Sequence, residues 1–236
     1  MIVIGLTGLM RAGKDSVADI LVRDHGFVKM SFAAPLKRMV KNLNPIVGVE
    51  FADCGDPDCF VICGNDYGPV YLQDLYDRGW TDEDIKASKY GDEARRMWQR
   101  FGTDVMRAEQ DDYWIQAARR DLGKMTVDAR VVFTDCRFPN EAEMIFRLRD
   151  EVVGNSYQDA NNIQASVWQI VRPGVERQEG AHASEQNVGL MGEEITIHND
   201  GTLDELAEPV ATALRVVTGE DLPDYGWVQE LFGEKA

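Results

Sequence analysis

The chain begins with a short apolar segment, a glycine-rich turn and a helical pattern, in that order. Residues 2–6 are β-type apolar residues, which predict a buried central strand. Residues 8–13 form the turn, and apolar residues then recur at helical spacing as far as Gly26, a favoured C-cap. A buried strand that turns on glycines directly into a helix is typical of parallel α/β sheets.

The turn carries a phosphate-binding pattern. It is written Gly8-Leu9-Met10-Arg11-Ala12-Gly13-Lys14-Asp15-Ser16 and matches G-x-x-x-x-G-K. Glycines allow backbone amides to face a phosphate, and the lysine reaches the β- and γ-phosphates. Asp15 replaces the usual Ser or Thr, and its carboxylate suits Mg²⁺. A glycine turn without a ligand is the alternative, but the position between a strand and a helix favours nucleotide binding.

Strand and helix patterns alternate along most of the chain. Strands are expected at residues 27–32, 130–135, 167–171 and 194–198, and helices at 34–43, 93–101, 111–122, 141–149 and 202–217. This alternation predicts an α/β fold with a parallel sheet and helices on both faces. Ligands bind such sheets at the carboxyl ends of the strands.

The strand at residues 130–135 ends in an acid. Asp135 then has the position of a carboxylate that holds the Mg²⁺ shell beside a phosphate loop. The alternative is an Asp that caps the next helix. The following residue is Cys136 and not the water-activating Glu common in ATPases, which favours group transfer over hydrolysis.

Arginine dominates the basic residues and is placed near the expected phosphate sites. Bidentate guanidinium groups bring phosphates together and stabilise a transferring phosphoryl group. The candidates are Arg11, Arg95, Arg96, Arg100, Arg107 and Arg137. Arg119, Arg147, Arg149 and Arg215 are instead expected to balance acids on the surface.

The formal net charge of −16 excludes some classes of partner. An acidic chain is poorly suited to bulk nucleic-acid binding or to docking on anionic membranes, and no apolar run is long enough to span a membrane. The chain start lacks the pattern of a signal peptide, so a cytoplasmic location is expected. Cys54, Cys59 and Cys63 do not have a standard zinc spacing, and reduced thiols are favoured over a metal site.

A series of short motifs resembles the bacteriophage deoxynucleoside monophosphate kinase family. The motifs follow one order through most of the chain, outside residues 44–90 and 150–166. They are Gly13-Lys14-Asp15-Ser16-x-Ala18-Asp19, Ala34-Pro35-Leu36-Lys37, Arg95-Arg96-Met97, Gly102-Thr103-Asp104, Tyr113-Trp114, Asp135-x-Arg137, Arg172-Pro173-Gly174, His182-x-Ser184-Glu185 and Asn199-Asp200-Gly201.

The resemblance implies a P-loop kinase fold that transfers the γ-phosphate of ATP to a deoxynucleoside monophosphate (dNMP). The residues assigned by position to ATP and Mg²⁺ are Gly8, Ala12, Gly13, Lys14, Asp15 and Ser16, with Asp135 as a second metal ligand and Asn199 and Gly201 near the adenine. The catalytic residues expected from this resemblance are Lys14, Arg11, Asp135 and Arg137. The acceptor residues are Lys37, Arg95, Arg96, Gly102, Thr103, Trp114, Arg137 and Glu141, although Trp114 could equally be a core aromatic.

The predicted organisation is one kinase domain over residues 1–220, with a tail at 221–236. An inserted acceptor-binding or lid lobe is expected at about residues 45–90, and a lid-like loop at 175–192. The expected partners are a dNMP and, as an open question, a second copy of the chain in a homodimer. If the chain is phage-encoded, its location is the host cytoplasm.

Two alternatives remain open on the sequence alone. A dephospho-CoA kinase-like enzyme would share the phosphate loop and the late Asn-x-Gly segment. A non-catalytic nucleotide-binding switch would be expected to carry the guanine motif N-K-x-D, which the chain lacks. Met10 stands where family members can carry a cation, and residues 45–90 do not align, so the base preference is open.

Overall fold

The computed structural model describes residues 1–51, 67–149, 163–177 and 186–219. Three predicted features therefore lie wholly outside the described residues: the cysteine cluster, His182 and the tail at 221–236. Parts of the expected lobe and of the lid-like loop also lie outside them. No helix in the described part of the chain is long and apolar enough to cross a membrane.

The elements follow one another in the order that the sequence predicts for the alternating segments. They are β1 (Ile2–Thr7), α1 (Lys14–His25), β2 (Val28–Met30), α2 (Ala34–Leu43), β3 (Ile46–Phe51), β4 (Tyr67–Tyr71), α3 (Leu72–Asp77), α4 (Asp82–Ala87), α5 (Gly91–Gln99), a π-helix (Arg100–Arg107), α6 (Tyr113–Leu122), β5 (Arg130–Phe133), α7 (Pro139–Arg147), β6 (Gln164–Val171), β7 (Ile195–His198) and α8 (Leu203–Thr218). The chain divides into two compact units, one of which is Ala33–Ala118.

The first unit contains Met1–Phe32 and the described residues from Arg119 onward. Its sheet has five strands in the order β2-β5-β1-β6-β7, and every pairing is parallel. The predicted α/β fold with a parallel sheet is confirmed. Central β1 is buried along its whole length because it has a strand on each side and helices above and below.

Helices cover both faces of this sheet. On one face Ile4 and Leu6 of β1 form a core with α1 and α8. On the other face α7 approaches β1 so closely that a Cβ on Gly5 would lie 2.4 Å from Cδ1 of Ile145. Side chains alternate between the two faces along β1, so Ile4 and Leu6 pack against α1 and α8 and Gly5 lies against α7. Helix α1 ends at the predicted Gly26, whose φ of 69° is left-handed.

The second unit has its own core. β3 and β4 form an antiparallel pair, and the unit also contains α2 to α5, the π-helix and the start of α6. Its buried residues include Val40, Val47, Leu72, Leu75, Ile85, Tyr90 and Trp98. The sequence predicted an inserted acceptor-binding or lid lobe at about residues 45–90. The described part of that range contains two strands, two helices and buried side chains.

The π-helix is a feature that sequence periodicity did not indicate. The sequence predicted a helix over residues 93–101, and the structure continues it as a π-helix to Arg107. Gly102 lies there because a Cβ at this position would meet Cδ2 of Leu36 at 2.7 Å. The carbonyl oxygen of Gly102 accepts a hydrogen bond from Nε1 of Trp114 at 2.9 Å. The π-helix thus places Gly102 in close contact with both Leu36 and Trp114.

Candidate functional site

The carboxyl ends of all five strands of the first unit meet at one edge of the sheet. β1 leads into the glycine loop, and β5 leads into Asp135. β2 ends before Ser31, β6 before Arg172 and β7 before Asn199. Parallel strands bring these segments together, although they are far apart in sequence. The structure therefore collects the glycine loop, an acid, an arginine and an amide on the edge where ligands bind such sheets.

The glycine loop has the backbone geometry that its sequence requires. Gly8 and Gly13 have φ angles of 146° and 101°, and Arg11 has a φ of 68°. A Cβ on Gly8 would lie 2.5 Å from the carbonyl oxygen of Ile170 in β6. Gly13 is the N-cap of α1, so the loop ends at the positive end of that helix dipole. Backbone amides and this dipole together favour an anion.

Lys14 closes over the loop that precedes it. Its Nζ donates to the carbonyl oxygens of Gly8 at 2.7 Å and Leu9 at 2.9 Å. The side chain is partly buried, and its ammonium group has three donors. The lysine thus holds the start of the loop and keeps a positive charge over it. A phosphate bound in the loop would lie within reach of that charge.

Asp135 lies two residues after the end of β5 and does not cap the next helix. The N-cap of α7 is Phe138, so the capping interpretation of Asp135 is wrong. Its Oδ1 instead accepts from the backbone N–H of Phe32 at 2.8 Å, and its Oδ2 accepts from the hydroxyl of Ser31 at 2.7 Å. These two hydrogen bonds hold the carboxylate of Asp135 in place just after β5.

The oxygen donors at this edge fit Mg²⁺ bound together with a nucleotide. Asp15 is exposed in the first turn of α1, Ser16 beside it is partly buried, and Asp135 is half-buried just after β5. The described residues contain no cluster of three or more His, Cys, Asp or Glu side chains that could hold a metal by themselves. Mg²⁺ at phosphate sites is usually held by one or two carboxylates plus substrate phosphates, so Asp15 and Asp135 are its candidate protein ligands.

Arg137 and Glu141 have different surroundings, although the sequence assigned both to the acceptor. Glu141 is 2% exposed, and its Oε2 accepts from the backbone N–H groups of Arg137 at 2.7 Å and Phe138 at 3.1 Å. The amide of Asn187 donates to the carbonyl oxygen of Arg137 at 3.2 Å. The backbone of Arg137 is thus held on both sides while its side chain is exposed.

The arginines at this edge differ from most other arginines of the protein. Arg147 pairs with Glu143 and Arg215 with Glu208, as expected for surface arginines, and Arg149 contacts Glu194. Within the described part of the chain, Arg11, Arg137 and Arg172 form no ion pair with a carboxylate. Uncompensated guanidinium groups beside a phosphate loop are suited to binding phosphate oxygens.

A cavity of about 220 Å³ lies against the glycine loop. Apolar side chains and two arginines contribute to its lining, which includes Leu9, Ala12, Val175, Val188, Arg172 and Arg177. The guanidinium of Arg177 donates to the carbonyl oxygen of Val188 at 2.9 Å, which joins two segments of the wall. Arg177 was not among the site residues predicted from the sequence. Apolar walls with a few charged groups are typical of small-molecule sites.

Asn199 and Gly201 follow β7, as predicted, but the amide of Asn199 is already occupied. Its Nδ2 donates to the carbonyl oxygen of Ala12 at 2.9 Å, and the residue is 6% exposed. Gly201 packs against the next helix, because a Cβ there would lie 2.6 Å from Oε2 of Glu205. Sequence reasoning also missed Ser31. Its position just after a predicted strand, on the ligand-binding edge, was the signal that could have identified it.

The remaining acceptor candidates all lie in the second unit. Lys37 pairs with Asp82 at 2.7 Å, and Tyr76 donates to the same carboxylate at 2.6 Å. Burial raises the pKa of Asp82, but these hydrogen bonds outweigh it and lower the pKa overall. A phosphate bound by Lys37 would have to compete with Asp82.

Arg95 and Arg96 are more accessible than Lys37. They lie on α5 in surface pairs with Asp92 at 3.5 Å and Glu93 at 2.9 Å. Such pairs contribute little stability and are easily exchanged for another anion. The backbone of Thr103 lies in the π-helix beside Gly102.

Trp114 is a core residue, which was one of its two interpretations. It is 3% exposed and packs in the core of the second unit with Trp98 and Val40. Its indole N–H is taken by Gly102, and the ring of Tyr113 lies edge-on at 4.9 Å. A ring buried in this way contributes packing and a hydrogen bond to the fold.

A comparison with curated proteins finds a viral relative over nearly the whole chain. The relative is named "Putative deoxynucleotide monophosphate kinase" and comes from Acanthamoeba polyphaga mimivirus. It is 26% identical over 226 residues, which cover 91% of this chain and 96% of the relative. No protein-family model matches the chain. The relative comes from a giant virus, so a bacteriophage source stays a prediction.

Proposed function

We propose that the protein transfers the γ-phosphate of Mg·ATP to a deoxynucleoside monophosphate and forms the diphosphate. The observation that supports this most directly is the glycine loop at the carboxyl end of the sheet, whose carbonyls Lys14 contacts. Arg11, Arg137 and Arg172 lie at the same end and form no ion pair with a carboxylate among the described residues. The name of the viral relative points to the same class of reaction. The diphosphate product is part of this proposal, and substrate profiling decides which base the acceptor carries.

The donor nucleotide would occupy the first unit. Its phosphates would accept hydrogen bonds from the backbone amides of residues 8–16. Lys14 would also bind them, by giving up its hydrogen bonds to the carbonyls of Gly8 and Leu9. The adjoining cavity offers apolar walls and the guanidinium groups of Arg172 and Arg177 to the rest of the nucleotide. When bound, Mg²⁺ supplies charge neutralisation on the phosphates, and Asp15 and Asp135 are the carboxylates that would hold it.

The acceptor needs no strong base, because a phosphate monoester is already largely ionised near neutral pH. The work of the protein is to position two anions and to neutralise charge that develops between them. Exposed Arg137, whose backbone is fixed by Glu141, is suited to that task. Arg95 and Arg96 of the second unit are proposed to bind the acceptor phosphate, since their surface pairs are readily exchanged.

The second candidate is a dephospho-CoA kinase-like enzyme. It would use the same loop, and nothing in the geometry of the loop separates the two acceptors. The viral relative favours the nucleotide acceptor, because its printed name states a deoxynucleotide monophosphate. Substrate profiling is therefore the experiment that distinguishes them.

The test is a coupled assay of ADP release with Mg·ATP and each of the dNMPs, the ribonucleotides and dephospho-CoA in parallel. We expect turnover that depends on at least one dNMP. The Lys14→Ala variant should lose it almost completely, because the charge over the loop is removed. Lys29→Ala is the matched control, since this exposed lysine pairs with Asp19 on the surface. The proposal is contradicted if dephospho-CoA is the only acceptor that supports turnover, or if ADP is released at the same rate without any acceptor.

A further inference from the structure

Asn199 makes a long-range contact with the phosphate loop. Its side-chain Nδ2 donates to the carbonyl oxygen of Ala12 at 2.9 Å, across 187 positions of sequence. The bond is buried, since Asn199 is 6% exposed and Ala12 is 1% exposed. The backbone of Asn199 is anchored as well, because its N–H donates to the carbonyl oxygen of Val171 at 2.8 Å. The amide thus reaches the loop from a fixed point beside β6.

Gly13 leaves the space that this contact needs. A Cβ at Gly13 would lie 2.1 Å from Nδ2 and 3.2 Å from Cγ of Asn199. The φ of Gly13, 101°, is also one that residues with a Cβ rarely adopt. The absence of a side chain at Gly13 therefore makes room for the amide of Asn199 and also allows the backbone turn of the loop.

From these contacts we infer that Asn199 is a positioning residue, which orients the last peptide of the phosphate loop for a nucleotide. A peptide group is planar and trans, so its C=O and N–H point in opposite directions. Because the carbonyl of Ala12 is held by Asn199, the N–H of Gly13 is directed away from Asn199. That N–H is one of the donors which the loop would offer to a phosphate oxygen.

Lys14 and Asn199 act on opposite ends of the loop. Lys14 holds the carbonyls of Gly8 and Leu9, and Asn199 holds the carbonyl of Ala12. A nucleotide that displaces the contacts of Lys14 leaves the Asn199 contact in place, because Asn199 carries no charge that a phosphate would attract. The loop then retains one fixed peptide throughout binding. This role rests on the proposed function, since it concerns the donor nucleotide.

The test compares two variants of Asn199 with a control at the same corner of the fold. Asn199→Ala removes the donor, and Asn199→Asp keeps the shape but places a carboxylate against the carbonyl of Ala12. Thr202→Ala is the control. Thr202 caps α8 by accepting from the N–H of Glu205 and has no contact with the loop among the described hydrogen bonds. Its loss should lower the melting temperature without altering the loop.

ATP affinity is measured by calorimetry without any acceptor, and the melting temperature is measured in parallel. We expect Asn199→Ala to weaken ATP binding about tenfold and to raise the ATP KM accordingly. Asn199→Asp should weaken it further, because its charge repels phosphate. Thr202→Ala should leave ATP affinity within about twofold of the parent. If one Asn199 variant does not fold, the other carries the comparison.

Equal losses of melting temperature in all variants, with ATP affinity unchanged, would overturn the role of Asn199 but leave the kinase proposal intact. If the parent protein binds no ATP, the kinase proposal fails, and the nucleotide role of Asn199 fails with it. If the parent binds ATP, hydrogen exchange of the loop amides is a second test of the inference. Faster exchange of the Gly13 amide in Asn199→Ala than in Thr202→Ala supports the positioning role. Equal exchange overturns it.

Discussion

The hydroxyl of Ser31 donates to the carboxylate of Asp135 at 2.7 Å and joins the segments that follow β2 and β5. The backbone N–H of Phe32 donates to the other carboxylate oxygen, and the ring of Phe32 stacks on Phe133 at 4.5 Å. Asp135, which follows β5, thus fixes the position of the residues that follow the neighbouring strand β2. Its structural role and its proposed role toward Mg²⁺ can be separated by mutation.

For Asp135→Asn we expect a fall in kcat of about 100-fold or more, because the charge that would hold Mg²⁺ is lost. An amide oxygen can still accept one of the two hydrogen bonds, so most of the fold should persist. Ser31→Ala removes only a neutral donor and should cost about 1 kcal/mol of stability with kcat nearly unchanged. The measurements are steady-state kinetics and thermal melting. Similar kcat losses in both variants would indicate that Asp135 acts only as a structural residue.

Arg96→Ala should raise the KM for the dNMP about tenfold and leave the KM for ATP unchanged, because one phosphate contact is removed. Its ion pair with Glu93 at 2.9 Å is exposed, so the melting temperature should hardly change. Arg147→Ala is the matched control, since Arg147 is also exposed and pairs with Glu143. A loss of ATP affinity without an effect on the acceptor would contradict the assignment.

Trp114→Phe should lower stability by roughly 1–3 kcal/mol, because the carbonyl of Gly102 loses its donor. Trp98→Phe is the control: Trp98 is also buried, and its Nε1 has no hydrogen-bond partner among the described residues. The Trp98 variant should therefore lose less. Denaturant unfolding measures both. An increased KM for the dNMP with an unchanged melting temperature in Trp114→Phe would support a contact with the base instead.

Glu50 should make the stability of the second unit depend on acid pH. Hydrogen bonds from Tyr90, Lys89 and Arg78 lower the pKa of Glu50 from its ordinary 4.5 to about 2. A carboxyl with a lowered pKa stabilises the fold fully above its unfolded pKa. That stabilisation is lost as the pH falls from about 4.5 toward 2.

Glu50→Gln should therefore be less stable than the parent at pH 7, and the difference should shrink as the pH falls through this window. Glu83→Gln, at a largely exposed position, serves as the control. Unfolding by urea at several pH values measures both. A difference between Glu50→Gln and the parent that stays constant from pH 7 to pH 2 would show that the ionised form of Glu50 makes no contribution.

Local patterns in the sequence predicted many of the elements closely. The helix expected at residues 34–43 is observed as Ala34–Leu43, and the strand expected at 194–198 is observed as Ile195–His198. These segments have a clear apolar period or a helix-capping residue, which are properties of neighbouring residues. The pair β3 and β4 was missed because its strands pair with each other across residues 52–66, a partnership that periodicity does not encode.

The sequence alone predicted the glycine loop between β1 and α1, because its glycines, Lys14 and the helix that follows lie within a dozen residues. It also placed Asp135 at the end of a buried strand. Only the tertiary structure showed that Asn199 holds Ala12, that Ser31 holds Asp135 and that Trp114 is occupied by Gly102. Each of those contacts depends on strand order or on packing between distant segments. Whether such a side chain faces a ligand or the core depends on which residues surround it in space. Those neighbours are known only once the chain is folded.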